Sequence, residues 1–167
     1  MTKRSNELFD HVALLNEFNK AASLAEVPGW PCEVVPERLY APHKQPHLPH
    51  GYGAVYVFSL CASYGLTVAA GPGAVLKVGK AGAQSNPRFY SQHYTQSAGS
   101  TLAKSLLKNQ VLCPLLGTQH LTTSTVKSWM MQNLDRTHYF VPAAEAEVRS
   151  ALEIFIRAHV GSIFEGA

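Results

Sequence analysis

The fold is decided by two short apolar runs, Gly53-Ala54-Val55-Tyr56-Val57-Phe58 and Ala74-Val75-Leu76-Lys77-Val78-Gly79-Lys80. The first run is apolar on both faces of a strand, which is typical of a strand at the centre of a sheet. A turn signal, Gly71-Pro72-Gly73, precedes the second run. The two runs therefore predict an antiparallel strand pair with a long connection. A buried strand pair has no packing reason to carry Lys77 in its middle, so this lysine is the first candidate functional residue.

Helical patterns surround the strand pair. An apolar stripe predicts a first helix over about residues 6–26, and a linker rich in proline and histidine extends to residue 50. The rest of the chain predicts helices near residues 86–95, 100–108 and 123–135, a short strand near 138–141, and a final helix that opens at Pro142. This order predicts an α+β fold with a small, mainly antiparallel central sheet of about three strands, flanked by helices. Residues 1–50 would form an N-terminal helical arm and linker, and residues 51–167 the main domain.

Composition sets limits on the class of protein. A chain of 167 residues suits one compact domain, and its net charge of +3 permits a nucleic-acid partner without requiring one. The three cysteines are odd in number and form no paired motif, which favours a reducing compartment, and we expect the cytoplasm. No apolar run is long enough to span a membrane, so we expect no membrane partner.

The alternation of side chains along a strand gives Lys77 a candidate partner. If the register brings Tyr56 near Lys77, a phenol and an ammonium meet on one face of the sheet. Because a free tyrosine has a pKa of ~10, making its phenolate at neutral pH costs about 4 kcal/mol, and a neighbouring cation lowers this cost. Such a pair is a candidate general base. In the alternative, Tyr56 is a core residue and Lys77 reaches solvent from an edge strand; this alternative is favoured for the tyrosine and stays open for the lysine.

Three further side chains are candidates for chemistry. Arg88 and His93 lie on a short polar and aromatic segment, and a guanidinium matches the geometry of a phosphate group. The alternative for both is a solvated helix face. Glu153 lies one step off the apolar stripe of the last helix, with Arg149 and Arg157 four residues to either side. That spacing by itself predicts an exposed glutamate between two ion-pair partners.

Taken in order, these residues resemble the signature of the GIY-YIG nuclease superfamily. That signature is two strands with the named tripeptides, a helix with an arginine and a nearby histidine or tyrosine, and a later helix with a metal-binding glutamate. Ala54-Val55-Tyr56 stands for the first tripeptide and Lys77-Val78-Gly79 for the second. Arg88, His93 and Glu153 match the remaining positions, and the resemblance covers about residues 51–166.

The chain departs from the family pattern at three places. Lys77 replaces the tyrosine of the second tripeptide, as in some restriction endonucleases of the superfamily. Glu165 stands where the family carries an asparagine. The spacing from Arg88 to His93 leaves Gln92 and Tyr90 as alternatives for the histidine position.

The resemblance implies the roles of the site residues. Tyr56 would act as general base on a water molecule, with Lys77 and His93 helping to activate or position it. Arg88 would bind the phosphate group. Glu153 would hold Mg²⁺, for which Mn²⁺ could substitute.

The resemblance also implies a function, a divalent-metal-dependent DNA endonuclease of a restriction or defence type that acts on double-stranded DNA. One alternative keeps the fold and makes the chain a repair, recombination or single-strand nuclease. Another is a non-catalytic nucleic-acid-binding module, with Lys77 and Glu165 as signs of lost activity. The candidate DNA contacts are Lys80, Lys104, Lys108 and Lys127. Whether the chain acts as a monomer or a homodimer stays open.

Overall fold

The fold is an α+β arrangement in which helices cover both faces of an antiparallel sheet. The computed structural model describes residues 9–96, 101–109 and 111–164. Its sheet order is β1-β4-β2-β3, and every neighbouring pair of strands is antiparallel. The α+β class and the antiparallel pairing of the two apolar runs are confirmed. The strands are β1 (Val35–Leu39), β2 (Tyr52–Leu60), β3 (Val75–Ala81) and β4 (Leu134–Pro142).

The described residues form four strands, whereas the sequence predicted about three. The additional strand is β1, which lies in the segment predicted to be a linker because its prolines exclude a central strand. β1 is an edge strand that pairs only with β4, and an edge strand tolerates Pro36 because one side of its backbone needs no ladder hydrogen bonds. The predicted short strand at residues 138–141 is also longer, since β4 begins directly where a helix ends at Asn133.

Helices lie in all five regions predicted to be helical, with different ends, and two short helices, at residues 62–65 and 113–116, were not predicted. The last helix begins at Ala146 rather than at Pro142, because Pro142 still pairs with Tyr52 at the end of β4. Within the described ranges, no helix combines the length and the apolar character that crossing a membrane requires. The helices are α1 (His11–Leu24), α2 (Ala62–Gly65), α3 (Asn86–Tyr90), α4 (Leu102–Lys108), α5 (Cys113–Leu116), α6 (Val126–Asn133) and α7 (Ala146–Val160), with a 3₁₀ turn at Gln92–Tyr94.

The central strand β2 is apolar throughout because each of its faces is buried in a different layer. Ala54, Tyr56 and Phe58 face the layer that contains α4 and α6. Val55 and Val57 face the layer that contains α1 and α7. Burying a side chain of this size stabilises the fold by about 1.5–3 kcal/mol. The sheet therefore separates two apolar cores, and any group that reaches from one layer to the other must pass around its edge.

The N-terminal helix packs into the same layer as α7. Its first turn is capped by the Asp10 side chain, which accepts hydrogen bonds of 3.0 Å from the amides of Val12 and Ala13. Phe18 is buried, and its ring contacts the ring of Phe155 edge to face at 5.5 Å. Residues before position 50 thus contribute a helix and a strand to the core that the later residues form.

The outer strand β3 is covered at its start by the last described residues. The amide of Ile163 donates to the carbonyl of Val75 at 2.9 Å, and the amide of Phe164 donates to the carbonyl of Leu76 at 2.8 Å. The rest of the β3 edge faces a cleft between this strand and α7.

Candidate active site

Four of the five predicted site residues line one cleft. Tyr56, Lys77, Arg88 and Glu153 come from β2, β3, α3 and α7 and surround a cavity of about 420 Å³ at the β3 edge. The fifth residue, His93, is buried behind Tyr56 and contacts its hydroxyl group. The predicted set therefore converges on one place, although it is spread over four elements and a 3₁₀ turn.

Tyr56 reaches this cleft because its partner in the sheet is a glycine. Tyr56 pairs with Gly79 across the β2–β3 ladder. A Cβ atom on residue 79 would lie 2.4 Å from the phenol oxygen and 2.6 Å from the adjoining ring carbon. The phenol therefore occupies the space that any other residue at position 79 would fill, and its oxygen extends across β3 to the outer edge.

Lys77 lies on the same face of the sheet, one diagonal step from Tyr56. It pairs with Phe58, and the register shifts between Phe58 and Ser59, where Ser59 pairs with Val75. The side chain is only 2% exposed, so the alternative of a solvated edge lysine is wrong. Burial lowers the pKa of Lys77 below its usual range, and the cations Arg88 and Arg157 lower it further.

Burial also acts on Tyr56, but with the opposite sign. It raises the pKa of the Tyr56 phenol above the usual value, and this exceeds the lowering by Arg88, which donates a hydrogen bond to the hydroxyl. From the sequence we expected a neighbouring cation to make the phenolate easier to form. The net change of the Tyr56 pKa is upward, because desolvation outweighs the effect of the cations. At neutral pH Tyr56 is a neutral phenol.

His93 is placed to donate a hydrogen bond to Tyr56. The amide of Leu102 donates to Nδ1 at 3.4 Å, which assigns the proton of the neutral ring to Nε2. Nε2 lies 2.5 Å from the Tyr56 oxygen. Burial, with Arg136 and Lys77 nearby, holds the pKa of His93 well below its usual range, so the ring is neutral at pH 7. Of the three candidates for the histidine position, His93 is the one that contacts Tyr56, whereas Tyr90 stacks on His47 at 4.2 Å.

Glu153 is buried rather than exposed, and its ion pairs differ from those expected. Its side chain accepts from Lys80 Nζ at 3.2 Å and from Arg157 at 3.1 Å. Arg149, the other expected partner, forms no ion pair with Glu153 within the described part of the chain. Its Nε and Nη1 atoms are buried without a hydrogen-bond partner among the described residues.

From the sequence, the two arginines that flank Glu153 on α7 were not candidates for the site, and Lys80 was a candidate DNA contact only. Lys80, Arg149 and Arg157 line the cleft together with Lys77 and Arg88, so five basic side chains face one carboxylate among its described lining residues. The signal was present, because residues 149, 153 and 157 recur every four positions and share one face of α7. Taken by itself, this spacing predicts a row of exposed ion pairs on the helix surface.

A further cation that the sequence did not indicate lies beneath the cleft. Arg136 is fully buried, and its guanidinium lies 5.8 Å from the centre of the Tyr56 ring. It donates to the Tyr94 hydroxyl at 3.1 Å and to the carbonyl of Phe89. In the sequence it lies between the predicted helix at 123–135 and the predicted strand at 138–141, where a charged residue does not indicate burial.

The predicted DNA contacts occupy three places. Lys80 lines the cleft, Lys104 and Lys108 lie on α4, and Lys127 lies on α6. Lys108 and Lys127 are exposed and Lys104 is half-buried. The contact of these four lysines with DNA stays a prediction. Glu165, the predicted departure from the family asparagine, lies outside the described residues.

Glu153 is the carboxylate of the cleft that could hold a divalent cation. The described residues contain no group of three or more histidine, cysteine, aspartate or glutamate side chains that could hold a metal ion. One oxygen of Glu153 pairs with Lys80, which is 44% exposed, so a cation on that oxygen would have to displace this lysine. Mg²⁺ commonly takes one or two carboxylates and completes its shell with water and phosphate oxygens, so a single carboxylate is within the range that Mg²⁺ uses.

Compared with known proteins, the chain matches no family model, no curated protein and no solved structure.

Proposed function

We propose that this chain is a divalent-metal-dependent DNA endonuclease of the GIY-YIG type, which hydrolyses phosphodiester bonds. The observation that carries the proposal is the convergence of Tyr56, Lys77, Arg88 and Glu153 on one cleft. The excess of basic side chains around that cleft favours a ligand with several negative charges, such as the nucleic-acid backbone.

Arg88 binds the phosphate group in this proposal. Its planar guanidinium can form two parallel hydrogen bonds to phosphate oxygens. Because Arg88 also donates to the Tyr56 hydroxyl, a phosphate held by Arg88 lies beside the phenol oxygen. The attacking water is then positioned between the phosphate and Tyr56.

Tyr56 acts as the general base, and Lys77 makes this possible. The neutral phenol can accept a proton from water only as it loses its own proton. Lys77, whose pKa is lowered by burial, loses its proton more readily than an ordinary lysine, and its free amine can then take the phenol proton. His93 donates from Nε2 to the phenol oxygen and so stabilises the negative charge that forms there.

Glu153 would hold Mg²⁺, or Mn²⁺ in its place, and Lys80 would then have to release the carboxylate. When bound, the cation neutralises charge that develops on the phosphate and on the leaving oxygen. Arg157 keeps its 3.1 Å ion pair and fixes the other carboxylate oxygen.

The substrate in this proposal is double-stranded DNA in the cytoplasm, as for a restriction or defence enzyme, cut by a monomer or a homodimer. The α4 lysines, Lys104 and Lys108, and Lys127 on α6 would contact the backbone outside the cleft. Rates on matched duplex, single-stranded and branched DNA distinguish this substrate from those of repair or recombination nucleases.

The experiment that tests the proposal is cleavage of supercoiled plasmid in Mg²⁺, in Mn²⁺ and in chelator. We expect cleavage by the wild-type protein only with metal, and a loss of about 10²-fold or more in Tyr56→Phe and in Glu153→Gln. Glu147→Gln is the matched control, because Glu147 is an exposed carboxylate on the same helix. Cleavage at the wild-type rate by Glu153→Gln would rule out the metal role.

A second candidate is a non-catalytic nucleic-acid-binding module. The observation in its favour is that Glu153 is already paired with two cations, Lys80 and Arg157. Salt-dependent binding of DNA with no cleavage in either metal would support this candidate over the nuclease.

A further inference from the structure

One of the three guanidinium groups that line the cleft has two hydrogen-bond donors without a partner. Arg149 lies on α7 one turn before Glu153, and its Nε and Nη1 atoms are buried without a partner among the described residues. A buried N–H group without a partner destabilises the folded protein, and more so when it is charged. Such groups beside a cavity are normally satisfied by a ligand or by water.

Two glycines make room for this side chain. A Cβ atom on Gly53 would lie 2.5 Å from Nη1 and 3.0 Å from Cδ of Arg149, so a larger residue at position 53 would displace the guanidinium. A Cβ atom on Gly82 would lie 3.8 Å from Nη2, in ordinary contact. The guanidinium is thus held at the start of β2 and just beyond the end of β3.

The contacts of α7 place Arg149 at one end of the cleft. Arg157 donates to the carbonyl of Val78, Glu153 pairs with Lys80, and Arg149 lies beside Gly82, so these three α7 residues follow β3 in order. Because a helix rises about 1.5 Å per residue, Arg149 lies about 6 Å along the axis from Glu153. This is the scale of the step between neighbouring phosphates of one nucleic-acid strand.

Lys80, Arg157 and Arg88 each have an identified partner, although the Nε atom of Arg88 is, like that of Arg149, buried without one among the described residues. Lys80 and Arg157 are paired with Glu153, and Arg88 donates to Tyr56. In the proposed function Arg88 takes the phosphate that is cut. Arg149 is displaced by one helical turn from Glu153, which would hold the metal at that phosphate, and it has the charge and the donors to take another phosphate.

We infer that Arg149 binds the phosphate next to the one that is cut, on the same strand. This inference rests on the proposed function, and it defines the substrate further. The cleft binds two successive phosphate groups, so it selects an oligonucleotide over an isolated phosphodiester.

The first test is DNA binding in chelator, which does not depend on cleavage. Arg149→Met is compared with Arg149→Lys and with Lys20→Met, which removes an exposed cation of α1 away from the cleft. We expect Arg149→Met to weaken binding about tenfold and to reduce the slope of log affinity against log salt by about one, with part of the slope restored in Arg149→Lys. A slope and an affinity equal to those of Lys20→Met would overturn the inference.

The second test asks whether the group that binds Arg149 is a neighbouring phosphate. The thymidine dinucleotide TpT and its forms with a 5′- or a 3′-terminal phosphate compete with labelled DNA. Either the 5′- or the 3′-terminal phosphate should improve the competition of TpT with labelled DNA about tenfold in the wild-type protein. Neither phosphate should improve it in Arg149→Met. An equal improvement in both proteins overturns the inference. A wild-type protein that binds but does not cut DNA would contradict the nuclease proposal, while both tests of Arg149 still give their result.

Discussion

Gly79 lies opposite Tyr56 in the β2–β3 ladder, and the phenol oxygen of Tyr56 occupies the space of the Cβ that Gly79 lacks. This relationship explains why a residue of the central strand can act at the outer edge of the sheet. The glycine of the second tripeptide therefore has a steric role toward the tyrosine of the first.

Gly79→Ala should move the phenol out of the cleft. The added methyl would lie 2.4 Å from the phenol oxygen, and the neighbours of a buried tyrosine leave little space for relaxation. We expect metal-dependent cleavage to fall about 100-fold, as for loss of a general base, and the free energy of unfolding to fall by about 1–3 kcal/mol. Plasmid cleavage and urea unfolding measure the two effects. Full activity in this variant would mean that Tyr56 does not act from its observed position.

Lys77→Met should stabilise the protein while it reduces cleavage. The folded pKa of Lys77 is lowered, so the unfolded chain binds this proton more tightly and the folded state is penalised at neutral pH. The stabilisation of the variant relative to the wild type should be largest at neutral pH and shrink toward pH ~10, where the unfolded lysine also loses its proton. Thermal unfolding from pH 7 to 10 measures this difference. A variant that is less stable than the wild type at pH 7 would contradict this prediction.

His138 should make the protein acid-sensitive. Burial lowers its pKa to about 4, and its Nδ1 lies 3.1 Å from Glu37 Oε1. Since an unfolded histidine has a pKa of about 6.5, the unfolded state binds more protons between these values, and stability should fall by up to about 3 kcal/mol as the pH drops from 6.5 to 4.

The variant His138→Gln tests this contribution, because an amide can still donate to Glu37 but does not titrate. Urea unfolding at pH 7, 5 and 4 should show a shallower loss of stability in the variant. His43 and His93, whose pKa values burial also lowers, account for part of the loss that remains. Parallel pH profiles of the two proteins would contradict the assignment to His138.

Removal of residues 1–50 should prevent folding. That segment includes β1, which pairs with β4, and the buried His43, whose ring bonds the carbonyl of Leu134 at 2.8 Å and the Tyr94 hydroxyl at 2.6 Å. The truncated chain would expose the edge of β4 and the apolar side of α7. Circular dichroism and a denaturant titration should show no cooperative transition in the truncated chain and one in the full chain. A cooperative fragment 51–167 would show that the arm is dispensable.

The elements that carry strong periodicity were predictable from the sequence, and those that depend on tertiary context were not. The apolar run of β2 predicts a buried strand wherever it is placed. β1 has no such run, and its Pro36 argues against a strand until the sheet shows that the segment lies at an edge. The extra length of β4 depends on Asp135 and Arg136, buried charged residues that a pattern of apolar positions does not mark as a strand.

The candidate site was also predictable only in part. Tyr56, Lys77, Arg88, His93 and Glu153 were identified because their order and spacing resemble the GIY-YIG signature, whereas the residues by themselves favoured a core tyrosine and an exposed glutamate. Their electrostatics were not predictable in this way, because burial raises the pKa of Tyr56 where a neighbouring cation alone would lower it. The role of Arg149 was also hidden, since the four-residue spacing to Glu153 fits both an exposed ion pair and the wall of a cleft.

The covered start of β3 has a consequence for self-association. The carbonyls of Val75 and Leu76 accept from Ile163 and Phe164, and that of Val78 accepts from Arg157, so these three acceptors of the edge strand are closed to a strand from another copy. At the opposite edge, Pro36 has no amide proton to offer. Each edge of the sheet thus carries a feature that disfavours the addition of a strand from a second molecule.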